Sequence, residues 1–418
     1  MKKFLITLHR WLGVPLGLLF IVTFSTGCLT TVDELLHRVD RQQLSANYEY
    51  TPTTIEQNAA AIEKITADKP GIRAVTLPTP SKPYYQVVAR GETWTYAIND
   101  LDNAAHYQEG DDGFFHTVLD LHRHFLLGKE GLFGVQGKEY AAWVGLLALL
   151  LSLLGLWLWW PSKKTFKVKD MLPRGKKRKH FYYSHMTSGV VVLAVIVLLG
   201  LTGASITYRS ITQQLFSVER DKASTMTPIV VAPTWQAWLT AAQAAMPEGA
   251  QLDSVRFPRQ PRNSGAEQRN TSKPANSENT TPNNKMGNRA NSAANEARKN
   301  TKGEAEQSAE KIFEFRFNAA GNWFGIASSS VKIDKTTSTL KDVNLFSQQT
   351  FGEKFYSILV PLHTGRQLPA AYAFVLLVFS FFGTVMVLSG LVSFAIKKRK
   401  KLKFKRQSEL PIAQNANS

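Results

Sequence analysis

Hydrophobic positions along this chain are gathered rather than spread. Four runs, at residues 11–32, 140–160, 186–207 and 370–396, are predominantly apolar and carry no central charge. About 20 residues at 1.5 Å rise cross the ~30 Å hydrocarbon layer, so each run predicts a transmembrane helix. Between the runs the pattern changes. Amphipathic helices are expected at 55–67 and 235–245, each following a Pro-Thr pair. Alternating stretches at 71–77, 84–89, 93–98, 252–257, 312–317 and 331–334 predict strands. The expected fold class is therefore an integral membrane four-helix bundle with two α+β modules outside it.

The same pattern repeats within the chain, which predicts an internal duplication. His9, Gly13, Thr26 and Gly27 recur at a constant spacing as His185, Gly189, Thr202 and Gly203. The approaches to the second and fourth runs match at an offset of 241. Phe114 pairs with Phe355, Phe115 with Tyr356, Val118 with Leu359, Leu121 with Leu362 and His122 with His363. In this register His124 falls on Gly365, so His122 is the repeated histidine and His124 a second candidate. Residues 259–311 break the symmetry. They contain no aromatic residue, Leu, Ile or Val. Such a stretch buries too little apolar area to offset its ordering entropy, and the sequence predicts a disordered insertion there.

Charge then orients the helices. Fifty Lys+Arg against 32 Asp+Glu give a net charge of +18, a balance that also suits nucleic-acid binding. Position argues against that class: nine basic residues lie between Lys163 and Lys179, eight between Lys397 and Arg406, and Lys2 and Lys3 precede the first run. With four spans all three groups fall on one side, as the positive-inside bias requires. The expected layout has a cytoplasmic N-terminus at 1–10, a basic cytoplasmic loop and third-span approach at 161–185, and a basic cytoplasmic tail at 397–418. Segments 33–139 and 208–369 then face the periplasm. The first run reads as an uncleaved signal-anchor. Cys28 is the sole cysteine, so an intrachain disulfide and a Cys-ligated zinc or iron–sulfur site are excluded.

Nine histidines occur. His37, His106, His116 and His180 read as interfacial or surface side chains. The four repeated ones fall into two pairs, His9 with His185 at the cytoplasmic ends and His122 with His363 near the outer surface. Imidazole is both a metal ligand and an axial ligand of haem iron. Glycine one turn from each inner histidine, Gly13 and Gly189, leaves room for a flat macrocycle. Zinc, copper, a proton relay or duplicated packing are the competing uses of such pairs. No Asp or Glu lies within the four runs, which weakens the proton and divalent-cation readings. Arg10, Arg123 and Arg366 stand beside ligand candidates, either as partners for haem propionates or as headgroup anchors. Arg209 reads as an anchor, and Trp157, Trp159 and Trp160 as an interfacial belt. Gly-x-Gly-x-x-Gly, a phosphate loop and His-Glu-x-x-His are all absent. An electron donor would have to be a separate cytoplasmic reductase or a membrane quinol.

At these residues the chain resembles the PepSY-associated transmembrane family of bacterial inner-membrane proteins. The resemblance rests on Leu8-His9-Arg10-Trp11-Leu12-Gly13, on Leu121-His122-Arg123 with Leu127-Gly128, on the 155–161 Gly-Leu-Trp-Leu-Trp-Trp-Pro run, on His185 with Gly189, and on Leu362-His363-Thr364-Gly365. It covers most of the chain outside 259–311 and the tail. It implies four spans, two periplasmic PepSY-like modules, and two b-type haems on His9, His185, His122 and His363. It further implies electron transfer to a periplasmic ferric chelate, as in ferric-siderophore reductases serving iron acquisition. Some relatives carry a fused flavin-reductase-like domain that has no counterpart here. PepSY modules are also associated with peptidase regulation, so a non-enzymatic membrane scaffold or sensor for a periplasmic partner is the alternative.

Overall fold

The computed structural model describes residues 2–67, 69–89, 92–107, 113–128, 131–160, 164, 166–218, 229–258 and 311–408. All but the last position of the insertion expected at 259–311 lies outside the described residues. The chain divides into two compact units. One comprises 1–44, 109–220 and 349–418; the other comprises 45–108 and 221–348.

The first unit is helical. Four of its helices are long and apolar enough to cross a membrane: α1 (Lys2–Ala46), α4 (Gly137–Trp159), α5 (Arg178–Thr207) and α9 (Ala370–Ser408). Three shorter helices accompany them, α3 (Gly113–His124), α6 (Arg209–Leu215) and α8 (Phe351–Thr364). The four long helices start or end beyond the apolar runs. In α1 the residues after Val32 are mostly good helix formers, and Asp33–His37 and Glu34–Arg38 pair one turn apart at 3.2 and 3.0 Å. Such pairs carry a helix past the apolar boundary.

Packing here uses small residues, since lipid tails are as apolar as leucine and reward no burial of leucine. A Cβ on Gly200 would stand 3.1 Å from the Gly145 carbonyl oxygen, so α4 and α5 cross backbone to backbone. Ser184, Thr187, Ser188 and Thr202 on α5 are buried, with Ser184 and Ser188 both donating to the Met171 carbonyl at 2.7 and 2.8 Å.

The second unit is a nine-stranded antiparallel sheet carrying α2 (Ile55–Thr66) and α7 (Trp235–Ala244). Its strands are β1 (Ala74–Thr76), β2 (Tyr84–Val88), β3 (Thr93–Ala97), β4 (Asp100–Tyr107), β5 (Ile229–Val230), β6 (Gln251–Arg256), β7 (Ile312–Asn318), β8 (Ser329–Asp334) and β9 (Thr339–Asn344). The order is β4-β3-β2-β1-β6-β7-β8-β9-β5. The two α+β segments read from the sequence are thus halves of one sheet, joined where Val75 of β1 stands opposite Val255 of β6. Outward from that seam, β1–β4 and β6–β9 follow in the same sequential order.

Strand β7 alternates strictly, placing Phe313, Phe315 and Phe317 in the core with Val75, Val87, Val255, Val331 and Ile333. Ile62 and Ile65 of α2 and Trp238 and Leu239 of α7 close over them. Thr54 caps α2 in a reciprocal capping box with Gln57, and Thr234 caps α7. Strands β4, β5 and β9 went unread in the pattern. Asp-Leu-Asp-Asn-Ala-Ala-His-Tyr has little β preference, and β4 forms because β3 offers it an edge.

Candidate functional site

The helices bring the four repeated histidines into two facing pairs. The rings of His9 on α1 and His185 on α5 have centroids 6.1 Å apart and planes at 68°. Those of His122 on α3 and His363 on α8 are 6.4 Å apart with planes at 42°. His9 and Thr26 are separated by 17 residues on one helix, and so are His185 and Thr202 on another. At 1.5 Å per residue, the two sites lie about 25 Å apart along the bundle.

The repeated Thr-Gly pairs explain themselves at the second site. Thr26 Oγ1 lies 3.0 Å from His122 Nδ1, and Thr202 Oγ1 lies 3.0 Å from His363 Nδ1. Each hydroxyl already donates to the carbonyl one turn back, Val22 at 2.6 Å and Leu198 at 2.7 Å. Its oxygen is therefore the acceptor toward the ring, and the ring proton sits on Nδ1. That tautomer leaves the Nε2 lone pair free to bind a metal. The glycines that follow provide the space: a Cβ on Gly27 would meet His122 Cε1 at 3.3 Å, and one on Gly203 would meet His363 Cε1 at 3.0 Å. Helices α1 and α5 thus each bear a histidine of one pair and, further along, the cradle for a histidine of the other pair.

At the first site the supports come from other helices. His185 Nδ1 donates to the Met386 carbonyl at 2.8 Å, which again leaves Nε2 free. Its ring lies against Gly390 of α9, where a Cβ would fall 2.7 Å from Nδ1. His9 rests against Gly155 of α4, and its buried Nδ1 makes no hydrogen bond of normal geometry. Both rings line a cavity of about 340 Å³. Gly13 has no neighbour within 4 Å of a notional Cβ, and Gly189 faces Met386 Sδ at 3.4 Å; both line the same cavity. Lys2, Arg10, Arg178 and Lys397 make part of its lining basic, and Arg178 Nε is buried without a hydrogen-bond partner.

Other expected residues are placed differently. His124 pairs with Asp120 on its own helix at 2.8 Å, away from His363. Arg366 engages Glu34 at 3.3 Å. Arg209 donates to the Tyr356 hydroxyl at 2.6 Å. Thr26 and Thr202 stood out in the sequence as a repeat without a role and Gly155 only as the start of the Gly-Leu-Trp-Leu-Trp-Trp-Pro run, while Gly390 and Glu34 carried no signal there. Among the described residues no third His, Cys, Asp or Glu joins either pair to make a metal-binding cluster.

No curated protein matches the chain. Residues 6–397 match the family described as the PepSY-associated TM region, and the chain belongs to that family.

Proposed function

We propose that this protein is a di-haem oxidoreductase of the bacterial inner membrane that passes electrons across the bilayer to a periplasmic ferric chelate such as a ferric siderophore. The observation that carries the reading is the pair of facing histidine couples, each with a ring spacing that would let both imidazoles bind one metal ion. Two metal–nitrogen bonds of about 2 Å, plus the two ring radii, put imidazole centroids about 6 Å apart. The separations of 6.1 and 6.4 Å fit. Each couple would hold one haem through two imidazole nitrogens, His9 with His185 and His122 with His363. Bound haem supplies reversible one-electron chemistry at iron.

The chain's own residues do the rest. Thr26, Thr202 and the Met386 carbonyl hold the Nδ1 protons of three of the histidines, which fixes their tautomers and would leave Nε2 free to bind a metal. Gly27, Gly203, Gly155 and Gly390 let the rings lie against helix backbones. Lys2, Arg10, Arg178 and Lys397 suit the carboxylates that a haem carries at its edge. The basic flanks favour the cytoplasmic side for His9 and His185. Electrons would then enter at that pair, from a separate reductase or a quinol, and leave at His122 and His363. In this reading the sheet unit provides the docking surface for the chelate, where reduction to Fe(II) weakens hard-oxygen coordination.

The test is an absorption spectrum of detergent-purified protein from haem-replete cells, before and after dithionite, with a pyridine haemochrome count. A sharp reduced α band and about two haem b per chain are expected. A colourless protein would overturn the redox reading and favour a non-enzymatic scaffold or sensor. Dithionite-reduced protein that ferric chelates fail to reoxidise would retain the haems but remove this acceptor.

A further inference from the structure

The helix α1 continues well past its apolar run and there buries a carboxylate. Glu34 is 3% exposed. Its Oε1 accepts from Arg38 Nε and from an Arg41 Nη, each at 3.0 Å, and its Oε2 lies 3.3 Å from Arg366 Nε. Arg38 has two nitrogens left. They donate to the backbone carbonyls of Gly365 at 2.7 Å and Leu368 at 2.8 Å. Those carbonyls belong to the turn between α8 and α9, which begins two residues after His363. Gly365 takes the left-handed conformation there, φ +76°, and its N–H returns to the Pro361 carbonyl.

We propose that Glu34 and Arg38 are positioning residues for His363, fixing the α8–α9 turn and through it the ring that faces His122. The turn that follows a ligand-bearing helix is held in place only where its own backbone polar groups find partners. One planar guanidinium serves both carbonyls, and the buried Glu34 holds that guanidinium in place. The repeat shows that this is an addition to the shared plan. Shifted by the 176 residues that relate His9 to His185, Glu34 becomes Ser210 and Arg38 becomes Gln214, both exposed and neither charged. The clamp therefore acts on one histidine of the pair and not on its counterpart.

This inference rests on the reading of His122 and His363 as haem ligands, and the test separates the two. Wild-type, Arg38→Gln, Arg38→Lys and Gln214→Ala full chains would be compared in nanodiscs by EPR of the ferric form and by redox titration. The signal lost in His363→Ala assigns the second site. Ring orientation sets low-spin ferric g-values, so both Arg38 variants should shift or lose that signal while the His9–His185 signal persists; Gln214→Ala should keep both. Arg38→Lys retains the charge but cannot span two carbonyls and a carboxylate. Wild-type spectra and potentials in both Arg38 variants would overturn the proposal. So would a change confined to Arg38→Gln, which would make the effect one of charge alone. Should Arg38→Gln lose both signals through misassembly, Arg38→Lys decides on the same terms. If the wild-type protein binds no haem, the ligand reading fails by itself. The clamp is then read from histidine-selective ¹³C NMR, where the His363 Cε1 resonance should move in Arg38→Lys and an unmoved resonance overturns it.

Discussion

The two histidine pairs share their ligands' chemistry and differ in how the rings are held. At His122 and His363 the support is duplicated. Each ring donates from Nδ1 to a threonine hydroxyl at 3.0 Å and has a glycine beside Cε1. At His9 and His185 it is not. His185 uses the Met386 carbonyl and Gly390, whereas His9 has Gly155 and an Nδ1 without a normal hydrogen bond. The second pair is gripped by the chain's repeated helices, while the first opens on a cavity of about 340 Å³. The difference teaches that one repeated motif of four residues builds both sites at once, its histidine serving one pair and its Thr-Gly the other.

The largest way to break the comparison is to remove a ligand. If the pairs hold haem as proposed, His363→Ala or His122→Ala should abolish the haem of that pair and leave the other, halving the haemochrome count. Loss of neither haem would end the assignment. Next comes space. Gly390→Ala would place a Cβ 2.7 Å from His185 Nδ1, and overpacking of this kind typically costs about 1–3 kcal/mol. It should disturb the His9–His185 spectrum alone, and a disturbance of the other spectrum instead would show the pairs to be misassigned. Thr202→Val and Thr26→Val remove the acceptor from Nδ1. Losing such a partner of a metal-bound histidine typically costs about 10–100-fold in affinity, so haem should dissociate faster from the second site in each. Equal effects of the two substitutions would sharpen the comparison, whereas a larger loss at Thr26, opposite the unclamped histidine, would add a role for Arg38.

The smallest effect tests the sheet unit and leaves both pairs alone. Burial pushes the Tyr85 hydroxyl up to about 12 against a smaller lowering by the Thr53 side chain, and the hydroxyl donates to Asn58 Oδ1 at 2.7 Å. A phenol with a raised folded-state value contributes stability that is complete below its unfolded value of about 10 and is lost as pH rises from there to about 12. At about 1.4 kcal/mol per unit the full loss is on the order of 2–3 kcal/mol. Tyr85→Phe should flatten the alkaline limb of unfolding, followed by circular dichroism, while any haem absorption of the membrane unit stays as in wild type.

The sequence reading reached the repeated histidines because their spacing is constant along the chain, and it reached helices α2 and α7 because their Pro-Thr starts and amphipathic faces are local signals. It divided the sheet into two modules because a pairing between β1 and β6, some 180 residues apart, leaves no local trace. It passed over Glu34 for a related reason. The apolar run ends at Val32, and hydropathy does not say whether a helix stops with it. His124 lies two residues from His122, which turns it about 200° around α3 at 3.6 residues per turn, and it meets Asp120 instead of His363.

What the sequence alone determined is the number of apolar spans, the side on which the cations gather, and the four histidines that recur in step with glycine and threonine. These are properties of order along the chain, where solvent transfer and charge act residue by residue. Only the tertiary structure decided which histidine faces which, that Thr26 and Thr202 serve the opposite pair, that Gly155 and Gly390 make room for rings on other helices, and that Arg38 reaches the turn beyond His363. Within a bilayer the lipid-facing and helix-facing surfaces are equally apolar, so hydropathy cannot mark the contacts. They are chosen by close packing of small residues and by hydrogen bonds between helices distant in sequence.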